Sequence, residues 1–172
     1  MPTLPRWFSE SKRLRSLGDT EGAHRILIAA GKRGSLEAAA TLARYLWQEP
    51  STERSIAILE EVERRVRPND WKTHFAVHLA YAIGVPSDVN QHMEFQRRAF
   101  VHLRAAAKAS SDARMYYSVG LHYWQGLNMV PKDIERARTW LEAAASSGDT
   151  EIVRTYNKFT RKHPLGQPTS AA

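Results

Sequence analysis

The stretch DARMYYSVGLHYWQGLNMVPKDIERARTWLEAAASSG, residues 112–148, decides the fold. In its first half Val119, Gly120 and Tyr123 fall on one face of a helix, and Gly126 suits the left-handed position that ends one. In its second half Asp133, Ala137, Trp140, Ala144 and Ala145 repeat at helical spacing before Gly148. Small residues at Gly120, Ala137 and Ala144 let two helices approach closely, and Tyr123 and Trp140 fill the space between pairs. The unit is a helix, a tight turn and a second, antiparallel helix.

Working outward, an offset of 114 residues lays Asp19, Ala23, Ile26, Ala30 and Gly34 onto Asp133, Ala137, Trp140, Ala144 and Gly148. Between these copies the pattern loosens. Gly84-Val85-Pro86-Ser87-Asp88 supplies a turn, and Arg98, Ala99, His102, Ala106, Ala107 and Ser110 echo the second helix, with about two extra helical turns between Asp88 and Ala99. A further copy, with Leu42, Ala43 and Leu46 followed by Ser55, Ile58 and Val62, keeps only the hydrophobic spacing. Proline and glycine stand almost only between apolar-periodic segments rich in Ala, Leu, Arg and Glu. The spacing predicts nine helices, over 6–17, 20–33, 35–48, 52–66, 70–83, 89–109, 111–125, 132–147 and 149–161. Asp19, Ser51 and Asp149 are placed to cap helix starts, and Gly34 and Gly148 to end helices.

Residues 112–148 resemble the Sel-one-like repeat, a relative of the tetratricopeptide repeat, whose pattern runs L-G-x-x-Y-x-x-G, then G-V-x-x-D, then K-A-x-x-W-x-x-K-A-A-x-x-G. The match departs by one extra residue between Gly126 and Asp133 and by Ala143 in place of the second lysine. The resemblance spans about residues 19–160, with residues 112–148 its specific part. It implies an all-α, right-handed α-solenoid of antiparallel helix pairs, about four degenerate repeats and about nine helices, with first helices lining the concave side. Proteins similar to this act as adaptors, signalling scaffolds and assembly factors, and in bacteria some are immunity proteins. The repeat carries no activity of its own.

Length and composition agree with a single helical-repeat domain over residues 1–162, followed by a tail, 163–172, too poor in apolar residues to dock. The chain has 172 residues, 42% of them hydrophobic and 25% charged. It has no cysteine, which excludes disulfides, thiolate nucleophiles and cysteine zinc sites and argues for the cytoplasm. The N-terminus has no apolar leader segment, and no stretch approaches a membrane span. The net charge of +7 is concentrated at the ends, where residues 1–34 carry seven basic against three acidic side chains and residues 149–172 four against two. Lys12, Arg13 and Arg15 mark one end and Lys158, Arg161 and Lys162 the other. Near-neutral segments between them interrupt the continuous basic stripe that a nucleic-acid-binding repeat needs, so that alternative ranks second.

His74 and His78 have the i, i+4 spacing of paired metal ligands, but Phe75-Ala76-Val77 lies between them and no third ligand is evident. No metal and no cofactor is expected. Glu60, Glu61 and Glu63 followed by Arg64, Arg65 and Arg67 read as a solvated, self-paired helix surface. No G-x-S-x-G elbow and no phosphate loop is present, so an enzyme is not expected. Trp47, Tyr116, His122 and Trp124 fall on first helices at positions the repeat does not need for its core. With Arg44, His74 and His78 they form the expected partner-binding set on the concave face. The expected partner is a protein, acidic in view of the basic ends, with no membrane involved.

Overall fold

The computed structural model describes residues 5–47, 52–84, 86 and 88–165, and every regular element among them is an α-helix. These are α1 (Arg6–Ser16), α2 (Thr20–Lys32), α3 (Leu36–Leu46), α4 (Thr52–Arg65), α5 (Trp71–Ile83), α6 (Val89–Ser110), α7 (Ala113–Gln125), α8 (Ile134–Ala145) and α9 (Thr150–Lys162). The nine expected helices are all present among the described residues, each within a few residues of its expected limits.

The helix boundaries have local chemical causes. Asp19, Ser35, Asp70, Asp88, Asp112, Asp133 and Asp149 each accept a hydrogen bond from a backbone N–H in the first turn of the helix that follows. Such a cap is worth about 1 kcal/mol. Gly34 (φ 96°) and Gly148 (φ 77°) take the left-handed conformation beyond α2 and α8. Ser51 lies outside the described residues. At 22 residues α6 is the longest helix, as the extra turns after Asp88 require.

The substantial helix–helix contacts join elements one or two places apart in the chain: α1·α2, α2·α3, α3·α4, α3·α5, α5·α6, α6·α7, α7·α8 and α8·α9. Side-chain contacts give the directions. The Arg15 guanidinium lies 4.0 Å from the centre of the Tyr45 ring, joining the C-terminal ends of α1 and α3. Trp47 after α3 abuts Gly84 after α5, so closely that a Cβ at Gly84 would stand 2.9 Å from its ring. In the second turn of α7 the Tyr117 hydroxyl is 3.2 Å from Thr155 Oγ1 in the second turn of α9. At their other ends Trp124 Nε1 donates to His163 Nε2 at 3.2 Å. Thus α1, α3 and α5 end side by side, and so do α7 and α9.

The core forms three contiguous clusters. One, around Leu27, Ala30, Ala38, Leu42 and Leu46, joins α2 and α3. A second, around Leu59, Val62, Val77, Tyr81 and Phe95, joins α3 to α6. The third, around Leu103, Val119, Tyr123, Leu141 and Phe159, joins α6 to α9. The internal echo is structural as well: Asp19 and Asp133 both cap, and Ala23, Leu27 and Ala30 are as fully buried as Ala137, Leu141 and Ala144, 114 positions on. Gly120 is needed where α7 meets α8, because a Cβ there would lie 2.7 Å from Leu141 Cγ. No helix among the described residues is long and apolar enough to cross a membrane.

His163, at the head of the segment expected to stay undocked, is held in place. Besides the bond from Trp124, Arg138 donates from Nη2 to its carbonyl at 2.6 Å. Residues 166–172 lie outside the described residues.

Candidate functional site

The seven residues expected to meet a partner fall into two groups. Arg44 and Trp47 on α3, and Tyr116, His122 and Trp124 on α7, lean on their neighbours. Arg44 is half-buried, its guanidinium 5.1 Å from the centre of the Tyr45 ring. Trp47 packs on Phe95 at 5.3 Å between ring centres. Tyr116 meets Trp140 edge-on at 5.3 Å. His122 stacks on Phe100, donates from Nδ1 to the Ser118 carbonyl at 2.7 Å and accepts from Asn128 Nδ2 at 3.0 Å through Nε2. Trp124 meets Phe159 edge-on at 5.4 Å. Trp47, Tyr116 and Trp124 are thus half-buried, packed against neighbouring helices while showing one side, whereas His122 is buried, covered by Phe100 and Asn128.

His74 on α5 enters a polar cluster buried between α4, α5 and α6. His74 Nδ1 and His102 Nδ1 are 2.8 Å apart, and His102 Nε2 is 2.9 Å from Glu63 Oε1. Glu63 also accepts from the Tyr81 hydroxyl at 3.2 Å and pairs with the Arg98 guanidinium. His78 turns elsewhere, donating from Nδ1 to the Ala99 carbonyl at 3.0 Å.

This geometry restricts the protonation states. A carboxylate can only accept, so His102 Nε2 carries a proton. One proton lies between the two Nδ1 atoms. The Arg67 backbone carbonyl offers the His74 ring a second acceptor, so either histidine can hold that proton beside the Glu63–Arg98 ion pair.

The local electrostatics follow. Burial would raise Glu63, but the His102 hydrogen bond and the Arg98 charge outweigh it and hold its carboxyl below the ordinary range. Burial, with His102 beside it, pushes His74 down. Burial pushes His78 down to about 4 and lowers His122 as well. Burial, with Glu63 beside it, raises the Tyr81 phenol.

Glu63, Tyr81, Arg98 and His102 were not among the expected site residues, and Glu63 was read as part of a solvated surface. The outer part of that surface behaves as expected, with Arg64 and Arg65 both on Glu61 at 2.6 and 3.6 Å. Glu63 differs because it follows Ser55 and Leu59 at intervals of four, and both are fully buried. That stripe, readable in sequence, marks it as inward-facing.

The cluster joins three helices, and its histidines are closed off: His74 and His102 are 8% and 7% exposed. Among the described residues no three His, Asp or Glu side chains gather in a metal-binding arrangement. A separate open cavity of about 630 Å³ lies at the N-terminal ends of α3 and α5, lined among others by Ser35, Glu37, Arg67, Asp70 and Lys72. Its cations and carboxylates are mixed, and burial raises Glu37. Compared with known proteins, the chain matches no family model and no curated sequence.

Proposed function

We propose that the protein is a non-catalytic interaction module: a right-handed solenoid of Sel-one-like helix pairs that binds a partner protein along its odd-numbered helices. The observation that carries the proposal is the side-by-side alignment of α1, α3 and α5 through Arg15–Tyr45 and Trp47–Gly84, and of α7 and α9 through Tyr117–Thr155 and Trp124–His163. Stacking of this kind makes an extended surface from many elements, and such surfaces are what helical repeats use for recognition. The equivalence of α2 and α8 in cap, small residues and buried leucine supports a repeat origin. The sharpest version is a bacterial, cytoplasmic immunity or adaptor protein that occludes an effector by covering it.

The test is isolation of the partner from the native host, followed by calorimetric titration of the purified pair. A stoichiometric complex is expected, with Arg44→Ala weakening it at least tenfold, about 1.4 kcal/mol. In the immunity version the partner is toxic and co-expression restores growth. Steeply salt-dependent binding to generic single-stranded RNA or DNA, with no protein partner, would replace this reading by the nucleic-acid one.

A further inference from the structure

Most of the large apolar side chains left exposed stand at helix ends. Leu17 follows α1, Ile83 ends α5, Val89 and Met93 begin α6, Leu127 and Met129 follow α7, and Leu165 follows α9. Each of these seven stands at the C-terminal end of an odd-numbered helix or at the start of the next; the other two exposed among the described residues, Trp71 and Val101, lie at the start of α5 and in the middle of α6. The long helix α6 contributes most. Its Phe100 stacks on His122 near the end of α7, so the two turns before it rise level with the α7–α8 turn. Met93, two turns before Phe100, is therefore about level with Leu127 and Met129, and Val89, 71% exposed, lies one turn beyond it.

The α7–α8 turn is built to hold this position. Asn128 and Met129 both have left-handed backbones, φ 52° and 62°. For Asn128 the bond to His122 accounts for it. Met129 has no such partner, and a bulky side chain rarely adopts this conformation. Here it keeps 58% of its surface in solvent. Trp47, His122 and Trp124 stand beneath this edge, propping Gly84, Asn128 and His163 respectively.

The charge beside the apolar patch is positive. Asp88 and Asp133 are engaged as helix caps, and Glu94 pairs with Arg97 at 3.3 Å. Lys132, Arg161 and Lys162 make no ion pair among the described residues, against one such carboxylate, Glu135. An apolar centre rimmed by unpaired cations is the anatomy of a protein interface, and methionines there adapt to the surface they meet. A second copy of this chain would bring cation against cation in a symmetric contact.

Resting on the protein-binding reading above, we propose that this edge, from Ile83 and Val89–Met93 through Leu127–Lys132 to Arg161–Leu165, is the docking surface for an acidic partner protein that presents apolar side chains to Val89, Met93 and Met129.

The test places a photo-crosslinking amino acid at Met93, at Met129, at Lys72 on the opposite edge and at Glu142 on α8, each in the full chain in its host. The expected result is one net-acidic protein captured from Met93 and Met129 only. With that protein purified, Met93→Glu and Met129→Glu each weaken binding at least tenfold without changing helicity, and added salt weakens it further. Capture from Lys72 or Glu142 alone overturns the edge while leaving protein binding intact. Capture from no position overturns both. Co-sedimentation with phosphatidylserine vesicles, abolished by the same two substitutions, overturns the protein partner in favour of an anionic membrane.

Discussion

Replacing Gly120 by alanine tests the close approach of α7 to α8. In an ordinary helix interior the change stabilises by about 1 kcal/mol, because glycine has more backbone freedom to lose. At position 120 the new Cβ would lie 2.7 Å from Leu141 Cγ, 2.8 Å from its Cδ2 and 3.2 Å from its backbone nitrogen. Leu141 is fully buried, so its side chain has nowhere to turn. Gly31 is the matched control, since a Cβ there meets only Ala39 Cβ at 3.7 Å, an ordinary contact. Reaching that separation at Gly120 requires α8 to retreat by about 1 Å along a packed face, and such overpacking costs about 1 to 3 kcal/mol. Gly31→Ala should raise the urea midpoint followed by circular dichroism, by about 0.5 to 1 kcal/mol. Gly120→Ala should lower it, by about 1 to 2 kcal/mol after the propensity gain is subtracted. If Gly120→Ala is as stable as the parent, the close contact of α7 and α8 is not as described.

Three other outcomes follow from the packing and the buried cluster. Glu63→Gln leaves the Arg98 guanidinium without its charge partner; Glu63 is 18% exposed, so the loss should be about 2 to 3 kcal/mol, below the about 3 to 5 of a fully buried pair, read by chemical denaturation at pH 7. Stability should fall on acidification. His78 is held near 4 against an ordinary 6.5, so the folded state resists its protonation; its stabilisation is complete above pH 6.5 and about 3 kcal/mol is lost by pH 4. His74 and His122 are lowered too and act in the same direction, while Glu63, also lowered, adds its loss as pH falls further. Midpoints between pH 7.5 and 4 that stay level would refute this, and His78→Gln should flatten the slope. Trp140→Ala removes a half-buried ring packed edge-on against Tyr116 and should cost about 2 to 3 kcal/mol in the same denaturation assay, with no loss meaning the ring is not part of the core.

The helices were legible because their signals are local. Asp19, Asp149, Gly34 and Gly148 each mark a boundary through chemistry confined to one turn. Even the length of α6 followed from counting residues after Asp88. The polar cluster was less legible because its partners come from three helices: His74 meets His102 across 28 positions and His102 meets Glu63 across 39. Run beside Arg64 and Arg65, Glu63 looks like surface, and only its interval from Ser55 and Leu59 shows otherwise. For the first-helix aromatics, position on a helix could be read but depth could not. Trp124 is covered by Phe159 and His163 of the last helix, and no local pattern around residue 124 announces that cover. The proposed apolar edge escaped because its members sit in separate turns, each unremarkable alone.

The most direct test of binding through this edge is hydrogen–deuterium exchange of the chain with and without its purified partner. The account predicts slowed exchange over residues 83–95, 126–133 and 159–165, with residues 64–73 at the opposite edge unchanged. Protection confined to residues 33–37 and 64–73, around the polar cavity, would contradict it.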